Sequence, residues 1–357
     1  MANRERIRYV FTSSNTIQGF YTFIPQLIAG IKRIFILKGA IGSGKAAFLR
    51  QFGQDMLKRG FRAEFWISSF DPLNPEGVFI PEMDTAVIIG DLPGVTFDDE
   101  MLAAEIIEVD KYENQEAITA KSADIVQLTE RMQNSRETAY HILKTAGLAA
   151  GEIKKVNAAY INQVKLAELT VHLTEQILEQ GSEEKHYFAS AVTPEGMINY
   201  IDTISSFCRQ RYLFTGPFGT GKSSIIKKIA GQAKSKGLSL EYYHNGFDVN
   251  SLTAVVITDL QVALVDAGYL AVNIKPGDEI IDMESLLDHY DHNQADQQIS
   301  AAKRQYETLV QEAQKHLENA WMAAEELKRI HLGAIDFDEL DKRRGQIIEN
   351  IISSSNK

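Results

Sequence analysis

A single cysteine, Cys208, serves all 357 residues, which excludes an internal disulfide and fits a reducing compartment. On its own it reads as a small buried residue on a helix. Positive charge is also short. The net charge of −11 gives no general attraction for nucleic acid or anionic lipid, and leaves only a local basic groove as a route to either. No run of about 18 apolar residues occurs, so no membrane-spanning helix is expected. The first residues carry Arg4, Glu5, Arg6 and Arg8 in place of an apolar signal-peptide core. Prolines number only eight, and 44% hydrophobic with 24% charged residues is the balance of a soluble globular chain. The expectation is a cytoplasmic protein of two or three domains.

What is present centres on Gly216-Pro217-Phe218-Gly219-Thr220-Gly221-Lys222-Ser223, which follows the apolar run Tyr212-Leu213-Phe214. Strand, G-x-x-x-x-G-K-S and then a helical pattern is the Walker A arrangement. Its glycines let successive backbone N–H groups curl around a phosphate, and the following helix points its positive end at the same anion. Lys222 would reach the outer phosphates and Ser223 would ligate Mg²⁺, with Ser224 next in the helix's first turn.

The chain carries this loop twice. A shift of 177 positions brings Gly39-Ala40-Ile41-Gly42-Ser43-Gly44-Lys45-Ala46 onto Gly216–Ser223 without a gap. Phe11 then meets Phe188, Glu64 meets Glu241, and Phe70-Asp71 meets Phe247-Asp248. This is an internal duplication. Each half opens with a short strand (Tyr9 to Thr12, Tyr187 to Ser190) and a helix, the second started by Thr193 as N-cap and Pro194. The strand before each loop follows, then a helix closing near Gly60 or Gly237. Further strands are expected at 63–67, 78–80 and 86–89, matched by 240–243, 255–257 and 263–265. Alternating strands and helices make a mostly parallel α/β sheet. Beyond it each half turns charged and alanine-rich. Helical spacing at Tyr306, Leu309, Ala313, Leu317, Ala320 and Leu327 predicts long helices, broken near 147–151 in the first half and 333–336 in the second, with apolar stripes suited to core or helix–helix seams.

A Mg²⁺-phosphate site also needs an acid at the end of a neighbouring apolar strand. Val262-Ala263-Leu264-Val265-Asp266 supplies one, favoured over Asp259, which begins a short connection. In the first half the two metal-holding positions are Ala46 and Ile89, so that loop keeps phosphate-binding geometry at Gly39, Gly42, Ser43, Gly44 and Lys45 without the ligands for a metal. Asp91 lies two residues on and would restore the acid if the register slipped. Asp248, with His244 and Asn245 just before it, could position an attacking hydroxyl or water; the alternative for it and for Asp71 is a local turn cap. Two guanine-reading words, Asp91-Leu92-Pro93-Gly94 and Asn293-Gln294-Ala295-Asp296, fall in different halves, which argues against GTP. The acids and histidines of 288–292 read as a solvated loop. Ala267 stands where motor ATPases place a water-activating Glu. Arg209, Arg211, Arg343 and Arg344 are candidate charge-stabilising cations.

On both loops and both Phe-Asp pairs the chain resembles a bacterial family of tandem P-loop ATP-binding proteins. The resemblance implies two P-loop NTPase-like domains and ATP at Gly216–Ser223, and brings no substrate with it. It departs from the family at the second acidic motif, where Asp-Gly-Thr is replaced by Asp266-Ala267-Gly268 and Ile89-Gly90-Asp91. The expected organisation is a degenerate P-loop domain (1–97), a helical appendage (98–182), an intact P-loop domain (183–282) and a second appendage (283–357), packed as an intramolecular pseudo-dimer. The expected function is ATP and Mg²⁺ binding in the second half, with ATPase or kinase-like phosphoryl transfer by Lys222, Asp248 and Asp266. The alternative is a nucleotide-sensing scaffold whose helical arms bind a protein. A homo-oligomer is compatible with either.

Overall fold

The computed structural model describes residues 6–97, 104–177, 184–287 and 292–355. The first half runs through β1 (Ile7–Phe11), β2 (Ser13–Thr16), β3 (Gly19–Thr22), α1 (Ile24–Ile28), β4 (Arg33–Lys38), α2 (Lys45–Lys58), β5 (Ala63–Ile67), β6 (Pro75–Ile80), β7 (Thr85–Ile89) and β8 (Glu105–Glu108). Three helices follow, α3 (Gln115–Thr119), α4 (Ser122–Ala158) and α5 (Gln163–Ile177). The second half repeats the plan with β9 (Glu184–Phe188), β10 (Ser190–Thr193), β11 (Gly196–Asn199), α6 (Ile201–Ile204), β12 (Gln210–Thr215), α7 (Lys222–Ser235) and β13 (Leu240–His244). It ends with β14 (Leu252–Ile257), β15 (Val262–Asp266), β16 (Glu279–Asp282), α8 (His292–Leu332) and α9 (Phe337–Ser355).

Among the described residues twelve strands join in one sheet, ordered β16-β12-β15-β14-β13-β9-β1-β5-β6-β7-β4-β8. Within each half only β6 or β14 runs against its neighbours. The halves meet where β1 pairs antiparallel with β9 through Phe11 and Phe188. Those two residues are counterparts in the duplication, so a pseudo-two-fold axis passes between them. Beside it the Arg8 guanidinium donates to Glu64 at 3.1 Å and to Glu241 at 2.8 and 2.6 Å. Two matched glutamates therefore share one arginine, which neutralises like charges that the duplication would otherwise bring together.

Both faces of the sheet are covered. The apolar sides of α2 and α9 close one face of the first half, while α7 and α5 close the same face of the second. Ile24 and Ile28 of α1, with Ile201 and Ile204 of α6, seal the opposite face. The connectivity is crossed. Helix α5 comes from the first half of the chain but packs on α7, and α9 comes from the second but packs on α2. The long helices α4 and α8 cross with them and run antiparallel, since Arg131 pairs with Glu326 while Ala139 and Ala150 share a cluster with Tyr306 and Leu317. Alanines 139, 146, 313 and 320 on the facing stripes are fully buried, which lets the two helices approach closely.

Several expectations need correction. Residues 193–196 are the turn of a β-hairpin, not a helix start: β10 pairs with β11, Thr193 Oγ1 caps the turn, and Gly196 takes φ +108°. Two residues joining two short strands favour a hairpin over a helix. Helix α4 does not break at 147–151. It continues to Ala158, and Gly147 serves packing, because a Cβ there would stand 3.0 Å from Ile17. The second break, at 333–336, falls between α8 and α9. The strands β8 and β16 were not foreseen. Each is four residues, charged at both ends and set on the sheet edge beside β4 or β12, so it lacks an alternating apolar signal. Cys208 follows α6 instead of lying on a helix, and burial pushes its thiol up to about 12. Among the described residues no helix is long and apolar enough to cross a membrane.

Candidate functional site

Both loops leave the end of a strand flanked on each side by parallel neighbours and enter a fourteen-residue helix. Glycines at three matched positions take positive φ: Gly39 and Gly216, Gly42 and Gly219, Gly44 and Gly221. A side chain at these angles is strained, so glycine at these positions dictates the loop's path. Gly44 and Gly221 are the residues from which the helices start, leaving the first N–H groups of α2 and α7 without intrahelical partners.

In the second half a cleft of about 540 Å³ opens on this loop. Phe218, Gly219, Gly221, Lys222, Ser223 and Ser224 form one wall. Asp266 sits opposite, at the end of β15 beside β12, with a carboxylate oxygen 3.7 Å from Lys222 Nζ. That Nζ donates to the carbonyls of Gly216 at 2.7 Å and Pro217 at 2.6 Å. Burial lowers the Lys222 pKa and raises that of Asp266, and in both the opposite charge of the other counters the shift. Asp259 is bonded elsewhere; from the β14–β15 turn it accepts from Ser239 N, just before β13, at 2.8 Å. Ser223 Oγ faces the cleft and accepts from Leu252 N at 3.3 Å. Among the described residues no group of three or more His, Cys, Asp and Glu could hold a metal by itself. A divalent ion at Ser223 and Asp266 would therefore complete its shell with phosphate oxygens and water, the usual arrangement for Mg²⁺.

Asp248 lines the same cleft and works in two ways. It caps its own turn, accepting from Asn250 N and Ser251 Oγ, and it pairs with Lys154 at 3.1 Å. Burial opposes its charge, but Lys154 and the Ser251 hydroxyl outweigh that and leave its pKa below the usual carboxylate value. Lys154 escaped the sequence reading. It belongs to α4, on the far side of the duplication boundary, and nothing in its local pattern marks it. From the same helix Asn157 Nδ2 donates to Phe218 O at 2.5 Å. A Cβ on Gly219 would meet the Lys154 carbonyl at 2.5 Å, so this glycine is also needed for the helix to approach. Along the cleft Tyr306 meets Phe218 and Phe247 edge to face, and Phe218 meets Tyr269 at a tilt.

The first loop has the same backbone in different company. Leu37 pairs with Ile89 as Phe214 pairs with Asp266, so the register does not slip. Asp91, two residues further, still reaches Lys45 Nζ at 3.2 Å and accepts from Gly39 N at 2.9 Å. The acid is thus restored beyond the strand end, while Ala46 leaves the hydroxyl missing. Asp110, just after β8, accepts from Ala40 N at 2.9 and 3.2 Å. Two N–H groups of this loop are therefore engaged by the protein's own carboxylates. Among the described residues, Ser43 Oγ, buried in the loop, finds no hydrogen-bond partner. Asp71 bonds Asn74 and lies 3.8 Å from Lys328 of α8, the mirror of Asp248 and Lys154.

The candidate arginines do not join either loop. Arg211 is buried with Asp278 and Asp202, Arg343 pairs with Glu105, and Arg344 pairs with Asp55 and Asp341. Arg209 is not among the residues lining the cleft. The two guanine-reading words stay apart: Asp91 is at the first loop, whereas 293–296 form the first turns of α8. Residues 288–291 lie outside the described residues. Comparison of the chain with known protein families, with curated proteins and with solved structures found no match.

Proposed function

We propose that the second half binds ATP with Mg²⁺ at Gly216–Ser223 and carries out ATP hydrolysis or phosphoryl transfer, the first loop serving structure. One observation carries the reading. The cleft beside the second loop gathers a lysine, a hydroxyl and a strand-end acid, and its charged lining of Lys154, Lys222, Lys228, Asp248 and Asp266 has more positive than negative groups. Anionic phosphate oxygens are stronger acceptors for the Lys222 ammonium than the loop carbonyls it now meets. Bound Mg²⁺ would neutralise charge developing on the phosphates. Lys222 would hold the outer phosphates, Ser223 and Asp266 would orient the metal shell, and Asp248 would orient the attacking hydroxyl or water. The rival reading, a nucleotide-sensing scaffold, is supported by the crossed arms, because bound nucleotide would bear on helices that reach both halves.

Titration calorimetry with Mg²⁺-ATP, alongside phosphate release, tests this. Lys222→Ala is expected to weaken binding by roughly 100-fold, the loss of about 3 kcal/mol of charge-assisted bonding. Lys45→Ala is expected to leave it unchanged. Undiminished binding by the Lys222 variant would sink the proposal. Binding without phosphate release or transfer favours the scaffold.

A further inference from the structure

The second cleft is not completed by its own half. Its roof is the end of α4 and the start of α5, chain that belongs to the first half, with Lys154, Ala158, Ile161 and Leu166 facing the loop. The first loop is roofed in the same way by the second half: a Cβ on Gly42 would meet Lys328 Cα at 2.5 Å, and one on Gly44 would meet Ile335 at 3.2 Å. Lys154 and Lys328 occupy matching places over the two loops, each facing the Phe-Asp acid of the opposite half. Their surroundings differ. Lys328 is also held at 3.0 Å by Glu325 on its own helix. Lys154 has Asp248 at 3.1 Å and the neutral Ser251 hydroxyl at 3.3 Å, and its charge is also felt at Asp266. Its ammonium thus stands in the lining of the cleft beside Asp248, on the helix pressed over Gly219 of the loop.

Resting on the nucleotide reading above, we propose that Lys154 is a phosphate-sensing cation supplied across the duplication, contacting the terminal phosphate and letting the site tell a nucleoside triphosphate from a diphosphate. A cation at that place adds a charge-assisted bond to a triphosphate that a diphosphate cannot make. The first half's arm would then follow the state of the second half's nucleotide, linking the halves without a separate effector site.

The test is calorimetric titration of Mg²⁺-ATP and of Mg²⁺-ADP into wild type, Lys154→Ala, Lys154→Arg and the exposed neighbour control Lys155→Ala. Lys154→Ala is expected to lose about tenfold in ATP affinity and less than about twofold in ADP affinity. Lys154→Arg should recover most of the ATP preference, and Lys155→Ala should match wild type. If ATP and ADP affinities fall together, Lys154 only supports the loop and the proposal is wrong. The same holds if neither changes. The arginine variant keeps the question open to test should the alanine variant fold poorly. Should wild type bind neither nucleotide, the reading of the loop itself fails and takes this inference with it.

Discussion

The two loops are copies in backbone and opposites in chemistry. Both begin with a glycine at positive φ after a strand one place in from the sheet edge, and both end with a lysine whose ammonium turns toward loop carbonyls and an acid. The second opens on a cleft with an excess of lysine, while the first faces a pocket where Lys38 and Lys111 are balanced by Glu108 and Asp110. Asp110 reaches the first loop's backbone, but its structural counterpart after β16, Glu284, makes no such bond: its own N–H is taken up in a turn with Asp282. The shape of such a loop thus depends on its own glycines, and the room beside it on side chains that arrive from other elements.

The largest effect expected of the contrast between halves concerns stability. Glu76 of β6 is fully buried, whereas the matched residue in the second half is Thr253. Burial raises its pKa to about 7, against the opposing hydrogen bonds of Thr12, Ser13 and Ser68. A folded-state pKa raised above the unfolded value of 4.5 gives stability that is complete below about pH 4.5 and lost as pH rises through 7. Glu76→Gln removes that loss. It should be more stable than wild type at pH 8 by about 3 kcal/mol, and equal to it near pH 4. Denaturant melts at the two pH values decide this, and an advantage independent of pH would refute it.

Next come the roofs. Gly219→Ala and Gly42→Ala place a methyl against α4 and α8 backbone and should each cost more than about 2 kcal/mol. Gly60→Ala shares the positive φ but meets open space, and should cost about 1 kcal/mol. Thermal melts of the three variants compare them, and equal losses would mean the helices are not pressed on the loops. The smallest expected effect is a gain. Ala46→Ser with Asp110→Asn returns the hydroxyl and removes a competing carboxylate. The nucleotide stoichiometry in calorimetry should then rise from one toward two, with binding at the first loop weaker because Asp91 remains. A stoichiometry fixed at one would show that more than these two positions separates the loops.

Much of this is legible in the residues alone. The strand before each loop and the closure of α2 and α7 near Gly60 and Gly237 follow from local apolar runs and glycine, and the place of Asp266 at a strand end near Lys222 from an uninterrupted apolar run. Asp91 and Asp110 were harder. Asp91 acts from beyond the strand end, where alignment by register assigns it no role, and Asp110 follows an edge strand too short and charged to be seen. Thr193 misled because the residue types that cap helices also close two-residue turns. Gly147 misled because a glycine inside a helix marks a close neighbour as readily as an end.

By itself the sequence determined the duplication, the two strand–loop–helix units and the loss of the hydroxyl at Ala46, because each is written in contiguous residues with a short period or an exact spacing. Only the tertiary structure decided that the arms cross, that Lys154 stands over a loop 65 residues further along the chain at Gly219, and that Asp110 holds the other loop. Those contacts depend on which surface each long helix buries against. Either arrangement, folding back on its own half or crossing to the other, would satisfy the same apolar stripe.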